Sequence, residues 1–362
     1  VRFFDLERTR RDILLLAASG TRTVKLVDRT FNAARGRALV LFRFIIENYG
    51  KAIPQGVRFH FEIAGDLLDD ETLALLKTAP KGALQFEIGL QSFNPKALEA
   101  VSRRTDISLL KSNIEKLVAL GNLHIHIDLI AGLPYENFES FAGSFNTAYA
   151  LSPHMLQLGF LKLLHGSAMR EKPDAFPCGF SHDPPYEVTE TPWLSAPELR
   201  RLHEAEDALE RLYNSGRFRR TLAYILERTG LAPFDLFLQA GGFLAGHSAR
   251  RISLDNFTAL MLELFGAMNG VDKAALRDHM VCDRLASISG GKLPEILKIP
   301  DARLKTMMTA VNTAPETRLK KGVHRGFALL YAEAAAVYAD YTEKDPVTGE
   351  YALNIIPLTF FA

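Results

Sequence analysis

Apolar and polar residues follow two alternating periods over residues 1–167, one typical of helices and the other typical of strands. The segment VRFHFEI at 57–63 alternates strictly and predicts a strand, whereas 107–120 carries apolar residues at helical spacing. The same reading gives a first helix at 3–19 and five strands separated by helices. The predicted strands are 23–27, 57–63, 84–90, 124–130 and 155–164; the intervening helices are 35–49, 70–77, 95–102 with 107–120, and 138–151.

Strands separated by helices predict right-handed crossovers and a parallel sheet, so the fold class is α/β. The first helix has no strand before it, and the sequence begins with Val1 rather than methionine. We therefore expect that the beginning of the protein, with one more strand, is missing from this sequence. Six strand–helix units would form a partial parallel (β/α) barrel, whose ligand site lies at the carboxyl ends of the strands.

The rest of the chain has a different pattern. Residues 173–194 are rich in proline and aromatic residues, which predicts an ordered loop. Beyond it the chain reads as mainly helical, and the final LNIIPLTFF predicts an edge strand or a packed tail. We expect a partial barrel over 1–170, a connecting loop over 171–194 and a mainly helical domain over 195–362. The predicted helices are 197–213, 218–228, 233–244, 254–268 and 323–341.

Charge and cysteine content exclude several classes of protein. Forty-three basic and 42 acidic residues leave a net charge of +1, so no general field attracts nucleic acid or an anionic membrane. No signal peptide and no apolar run of about 18 residues is present. The two cysteines, Cys178 and Cys282, lie more than a hundred residues apart, which indicates neither a zinc site nor a dithiol centre. So low a cysteine content predicts a reducing cytoplasm.

Polar residues cluster at the ends of the predicted strands, on the edge where a barrel carries its chemistry. Charged groups inside a barrel are costly unless they are paired or bind a ligand. A satisfied polar network is the alternative for each single residue, but five clusters in equivalent places favour a ligand site. The clusters are Asp28, Thr30 and Asn32; His60 and Glu62; Glu87, Gln91 and Ser92; His124, His126 and Asp128; Gln157 and Lys162.

Four of these strand-end segments resemble the later-strand motifs of radical S-adenosylmethionine (SAM) proteins. They are DRTFN (28–32), EIGLQSF (87–93), DLIAGLP (128–134) and LGFLKLLHGS (158–167). DLIAGLP also resembles a stretch of oxygen-independent coproporphyrinogen oxidase. The best likeness is to the branch with an N-terminal cobalamin-binding domain, because PPYEV (184–188) and YNSGRF (213–218) resemble the C-terminal domain of unknown function that ends many of its members.

The resemblance implies a [4Fe–4S] cluster held by a CxxxCxxC loop after the first strand. That motif does not occur in this sequence, and Cys178 with Cys282 cannot replace three closely spaced thiolates. We therefore expect a fragment that is inactive alone. The intact enzyme would take electrons from an external donor such as flavodoxin or ferredoxin, cleave SAM to a 5′-deoxyadenosyl radical and act on an unknown substrate. Cobalamin, on a missing N-terminal domain, is a further cofactor that the branch implies.

The resemblance also implies roles for residues around SAM. The second-strand residues Asp28, Thr30 and Asn32 would approach the methionyl amino group, although the GGE-like segment usual there is absent. Glu62 would contact the ammonium group or ribose, and Arg103 or Arg104 would pair with the carboxylate. Either arginine alternatively lies on a solvated helix face. Gln91 and Ser92 would hydrogen-bond to ribose or the carboxylate, and Lys162 would face the substrate or the carboxylate. The backbone of Ile130, Gly132 and Pro134 would form a shelf beside adenine. Glu87 and Asp128 would lie within the same site.

Two other functions stay open at this point. A metal-dependent hydrolase would use the HxH pair His124 and His126 with Asp128, His60 and Glu62, since histidine and carboxylate are ordinary metal ligands. The usual arrangement, however, places HxH on the first strand of the barrel. A non-catalytic interaction protein would instead dock a partner on its helical C-terminal half, through a large exposed apolar patch.

Overall fold

The computed structural model describes residues 3–247, 251–313 and 325–361. The chain divides into two compact units, Val1–Leu202 and His203–Ala362. No helix within the described ranges is both long and apolar enough to cross a membrane.

The first unit contains a five-stranded sheet whose strands lie in the order β1–β2–β3–β4–β5, all parallel. At least one helix lies in each crossover, so the predicted α/β fold of partial-barrel type is confirmed. The strands are β1 (Thr23–Leu26), β2 (Arg58–Ile63), β3 (Leu84–Gln91), β4 (His124–Ala131) and β5 (Met155–Phe160); the helices are α1 (Leu6–Ala18), α2 (Arg35–Asn48), α3 (Asp70–Lys77), α4 (Pro95–Ala100), α5 (Ile107–Leu120), α6 (Phe138–Ala150) and α7 (Ala168–Glu171).

One face of this sheet is apolar and is covered by the crossover helices. Phe42 of α2 packs its ring 5.2 Å from that of Phe61 on β2 and 5.5 Å from that of Phe86 on β3. All three side chains are fully buried, and burial of each stabilises the fold by roughly 1.5–3 kcal/mol. Since side chains alternate along a strand, the opposite face receives the polar residues.

Side-chain caps fix the starts of the crossover helices. Asp69, Asp106 and Asn137 each accept a backbone N–H bond three residues ahead, at the N-termini of α3, α5 and α6. Such caps satisfy N–H groups that have no partner inside the helix. Gly121 ends α5 with a φ of +68°. These signals explain why the predicted starts of the three helices are correct.

β5 is shorter than the predicted strand 155–164. After Phe160 the chain leaves the parallel sheet and pairs with a two-stranded hairpin, β6 (Gly179–Phe180) and β7 (Val188–Glu190). Leu163 N donates to Tyr186 O at 2.9 Å, and Val188 N donates to Leu161 O at 2.9 Å. The Pro- and aromatic-rich segment therefore contains a hairpin that pairs with residues 161–163, directly after β5.

The second unit is mainly helical and ends in an antiparallel sheet with the order β10–β9–β8. The predicted apolar end strand is confirmed as edge strand β10. The elements are α8 (Ala196–Leu209, which begins in the first unit), a π-helical turn (Glu210–Asn214), α9 (Arg219–Thr229), α10 (Pro233–Gly246), α11 (Leu254–Gly266), α12 (Lys273–Ser287), α13 (Arg303–Thr313), β8 (Arg325–Leu330), β9 (Ala335–Lys344) and β10 (Tyr351–Pro357).

The helix predicted over 323–341 is wrong. Residues 323 and 324 lie outside the described residues, and the rest forms strands β8 and β9. The alanine-rich run from Ala335 to Ala339 has high helix propensity, but all five residues are buried within the antiparallel sheet. Tertiary packing therefore overrides local propensity here.

Candidate functional site

Charged and imidazole side chains share the polar face of the five-stranded sheet. The strand register aligns Glu62, Glu87 and His126 in one row across β2, β3 and β4. Lys25 and His60 occupy the row on the amino-terminal side. Residues of three predicted clusters thus meet on one surface, although Glu87 and His126 lie within their strands rather than at the strand ends.

Glu87 is the hub of this surface. Its Oε2 lies 2.7 Å from His60 Nε2 and 3.3 Å from Lys25 Nζ, and Lys25 Nζ also lies 3.6 Å from Glu62 Oε1. Burial alone would raise the pKa of Glu87, but the His60 hydrogen bond, the Lys25 charge and His126 together hold that pKa below its ordinary value. Glu87 is therefore an anion that already has partners.

His126 and Asp128 carry polar atoms that the fold leaves unused. His126 Nε2 lies 3.0 Å from Asp128 Oδ1, within ion-pair distance for a protonated imidazole. Within the described part of the chain, neither atom has a hydrogen-bond partner, although both are buried. Buried polar atoms without partners cost free energy and mark a place where a ligand can supply the missing bonds.

Arg103 joins this surface at the carboxyl end of β3. Its Nη2 donates to the Gly89 carbonyl at 2.5 Å. Burial lowers the pKa of Arg103, while the charges of Asp66 and Asp128 act in the opposite direction. A Cβ at position 89 would lie 2.7 Å from Gln91 Nε2, so glycine at 89 lets both side chains cross the strand. Arg103 and Gln91 thus lie together at Gly89, and the charge of Asp128 acts on Arg103.

Ser92 does not face this surface. Its hydroxyl is buried and donates to Glu136 Oε1 at 2.5 Å, while Ser144 Oγ donates to the same oxygen at 3.0 Å. Burial raises the pKa of Glu136, against the lowering effect of these two hydrogen bonds. The proposed contact of Ser92 with ribose or carboxylate is therefore corrected, because its hydroxyl ties the loop after β3 to the loop after β4. Sequence reasoning missed Glu136. Its only sequence signal is that an acidic residue stands two positions after Pro134.

Asn32 is engaged in a similar structural contact. Its Nδ2 donates to Ala64 O at 2.8 Å, and its Oδ1 accepts from Ala64 N at 2.9 Å. This amide pair joins the segment after β1 to the end of β2. Asp28 and Thr30 are exposed, so the three residues of this cluster do not converge.

The remaining predicted contacts divide between two environments. Gly132 has a φ of +91°, and a Cβ there would lie 2.7 Å from Val188 Cγ1, so packing against β7 explains this glycine. Ile130 lies on the same face of β4 as Asp128 and is half-buried. Pro134 is buried, whereas Arg104 and Lys162 are exposed, and Lys162 forms an isolated antiparallel bridge with Glu187.

The histidines of β4 do not form a metal centre. Among the described residues, no group of three His, Cys, Asp or Glu side chains has the geometry to hold a metal ion. The His124 ring lies 5.1 Å from that of His154, whose Nδ1 accepts a hydrogen bond from Ile125 N. The geometry therefore does not favour the hydrolase.

The polar face fits SAM, whereas the two cysteines do not fit an iron–sulfur cluster. This face carries the carboxylates of Glu62, Glu87 and Asp128 and the cations Lys25 and Arg103, so both the ammonium and the carboxylate of a methionyl group would find an opposite charge. Burial raises the pKa of the Cys178 thiol, and raises that of the Cys282 thiol to about 12. Cluster ligands are thiolates, so these thiols are the wrong kind of group.

Two family models match successive parts of the chain. The radical SAM superfamily model matches residues 1–148, and the model for a protein of unknown function, DUF4080, matches residues 174–325.

Two curated proteins are similar over part of this chain. A tRNA-2-methylthio-N(6)-dimethylallyladenosine synthase of Buchnera aphidicola is 28% identical over 151 residues, 39% of this chain and 34% of the relative. The anaerobic coproporphyrinogen III oxidase 1 of Cereibacter sphaeroides is 25% identical over 178 residues, 49% of this chain and 33% of the relative. The chain thus spans about a third of the length of these relatives.

Solved structures of radical SAM proteins are also similar. The methyltransferase TsrM of Kitasatospora setae, with tryptophan and a SAM analogue bound, has 17% identity and a TM-score of 0.38, covering 43% of this chain and 30% of its own. The coproporphyrinogen III oxidase HemN of Escherichia coli has 20% identity and a TM-score of 0.37, covering 44% of this chain and 37% of its own. The two family models, without these structures, identify residues 1–148 as a radical SAM superfamily domain and residues 174–325 as a DUF4080 domain.

Proposed function

We propose that this chain forms the SAM-binding and substrate-binding surface of a radical SAM enzyme. The observation that carries the proposal is the pair His126 and Asp128, whose facing buried atoms lack a hydrogen-bond partner among the described residues and lie on the same sheet face as Arg103. A bound [4Fe–4S] cluster, reduced by an external donor such as flavodoxin or ferredoxin, would supply the electron for reductive cleavage of SAM and thus the radical chemistry on the substrate. This chain's own part would be to bind and orient SAM and the substrate.

The residues of this chain would bind and orient SAM. Arg103 keeps guanidinium N–H groups beyond the one that binds Gly89 O, and these would pair with the methionyl carboxylate. Asp128 Oδ1 would accept from the ammonium group, and the half-buried Ile130 would lie against adenine. Glu87 would act through charge, because its oxygen already binds His60 and Lys25.

The polar face would also hold the substrate close to the ribose of SAM. Fixed hydrogen-bonding groups on rigid strands orient reactants and limit the access of water to a reactive radical. His126 Nε2 is the buried group on this face that remains available for a substrate polar atom.

The proposal also covers the source of the cluster ligands, a second cofactor and the cellular compartment. The cluster thiolates would come from residues outside 1–362, because Cys178 and Cys282 are too far apart in sequence and too poorly ionised. Cobalamin is proposed on motif likeness alone. A reducing cytoplasm is proposed because both cysteines are unpaired thiols.

The decisive experiment uses the complete natural reading frame, reconstituted anaerobically with iron and sulfide. Reductant and SAM should yield 5′-deoxyadenosine, and Asp128→Asn should lower its formation by about tenfold or more. Asp70→Asn is the matched control, because Asp70 is fully exposed on α3 and its removal should change nothing. A reconstituted protein that never cleaves SAM but binds zinc through His124 and His126 would overturn the proposal in favour of a hydrolase.

A further inference from the structure

A solvent-open cavity of about 450 Å³ lies in the second unit. Its volume is within the range of small-molecule sites. It is lined by residues of α12, the segment 293–301, α13 and β8, and none of them belongs to the polar face described above. Aliphatic and aromatic side chains dominate the wall: Leu293, Ile299, Leu304, Phe327 and Leu329, with Tyr331.

Arg277 is a rigidly held cation in this wall. It is only 8% exposed. Its Nε donates to Leu297 O at 2.9 Å, and its Nη1 donates to Asp278 Oδ1 at 2.7 Å and to Leu329 O at 2.6 Å. The guanidinium carbon also lies 5.2 Å from the centre of the Tyr331 ring. No hydrogen bond within the described ranges uses Nη2, so this nitrogen remains for a ligand.

The other charged groups around the cavity are also paired, as Arg277 is with Asp278. Lys298 binds Glu295, and Asp301 accepts from Arg303 Nη2 at 2.7 Å. Asp301 also accepts from the Tyr331 hydroxyl at 3.3 Å, which holds that ring in the wall. The paired groups leave little net charge at the rim, so Arg277 is the cavity group most able to select a ligand by hydrogen bonding.

We propose that this cavity binds a small amphipathic carboxylate. A carboxylate oxygen would accept from Arg277 Nη2, and the apolar chain would pack against Leu293, Phe327 and the Tyr331 ring. A preorganised guanidinium recognises carboxylate oxygens, and apolar lining contributes affinity through burial. The site is independent of the radical chemistry proposed for the first unit.

The test is calorimetric titration of the full chain with octanoate, kept below its micellar concentration, and with 1-octanol as the neutral analogue. Octanoate should bind saturably, about tenfold or more tightly than octanol. Ile299→Glu places a like charge in the cavity wall and should weaken octanoate binding by about tenfold or more. Ile296→Glu is the matched control, because Ile296 is 52% exposed and does not line the cavity. Its effect should stay below about twofold.

Three results would overturn the proposal. Equal affinities for octanoate and octanol would remove the role of the carboxylate. Equal effects of Ile299→Glu and Ile296→Glu would place any binding elsewhere. Absence of saturable octanoate binding by a chain with an unchanged circular dichroism spectrum would mean that the cavity takes no such ligand. These comparisons do not depend on Arg277 variants, whose lost hydrogen bonds to Leu297 and Leu329 threaten folding.

Discussion

The Ser92 hydroxyl donates a 2.5 Å hydrogen bond to the fully buried carboxyl group of Glu136. The two residues belong to loops that follow neighbouring strands, and Ser144 on α6 donates to the same oxygen. Phe93 N in turn donates to Ser144 Oγ at 3.0 Å. This network therefore fixes the backbone beside Gln91, where the candidate SAM site begins.

Removal of the Glu136 carboxyl group should destabilise the fold. Glu136→Ala leaves Ser92 and Ser144 without their buried acceptor and opens a cavity, at a cost of about 2–4 kcal/mol in the free energy of unfolding. Glu136→Gln keeps an acceptor of the same shape and should cost less than half as much. Urea unfolding measures both. Glu139→Ala, on the exposed first turn of α6, is the control and should cost well under 1 kcal/mol.

The same residue makes stability depend on pH. Burial raises the pKa of Glu136 in the folded chain above its ordinary value of 4.5. Between these two pKa values the unfolded chain has lost its proton while the folded chain retains it, so stability falls as pH rises through this window and then levels off. Compared with Glu136→Gln, the wild type should lose more stability on going from pH 4.5 to neutral pH. If the free energies of unfolding of the wild type and Glu136→Gln change in parallel with pH, Glu136 is not the group responsible.

Gly132→Ala should be strongly destabilising. The added Cβ meets Val188 Cγ1 at 2.7 Å, and a φ of +91° strains any other residue. Together these effects should cost about 2–5 kcal/mol in urea unfolding. Gly166→Ala measures the backbone strain without the steric clash, because Gly166 has a φ of +79° but open space around its Cβ position. Val188→Ala in the Gly132→Ala background should recover part of the loss, and no recovery would show that the clash is not the cause.

Two adjacent glycines of α10 should respond with opposite signs. A Cβ at Gly241 collides with the backbone of Glu204 on α8, whereas a Cβ at Gly242 meets nothing within 4 Å. Gly241→Ala should destabilise the chain by about 1–3 kcal/mol, because the two helices must separate. Gly242→Ala should stabilise it by up to about 1 kcal/mol through helix propensity. Thermal unfolding of the two variants gives the comparison directly.

Arg103 and its neighbour Arg104 should differ in their effect on SAM affinity. Arg103→Lys replaces a planar fork, held by Gly89 O, with a point charge, and should weaken SAM binding by about tenfold. Arg104→Lys alters an exposed side chain and should have no effect. The dissociation constant of SAM in the reconstituted complete protein is the measurement. Equal effects of the two substitutions would remove Arg103 from the proposed site.

The sheet and its polar face could be predicted because their signals are local. Period-two alternation at 57–63 and capping residues such as Asp69 act within a few positions of the element they define. The Ser92–Glu136 contact joins residues 44 positions apart, so no local pattern distinguishes a hydroxyl that binds ligand from one that binds a neighbouring loop. The error at β9 has a different origin, since pairing with the neighbouring strands β8 and β10, rather than alanine propensity, determines the structure there.

The contact of Gly132 with Val188 bears on where this protein can be divided. Gly132 lies in the stretch that matches the radical SAM model and Val188 in the stretch that matches DUF4080, yet both belong to the first compact unit. A split at residue 174 would separate the β6–β7 hairpin from the segment 161–163 with which it pairs. Chimeras and truncations that exchange these two regions should therefore be joined beyond residue 190, so that the hairpin stays with the sheet that precedes it.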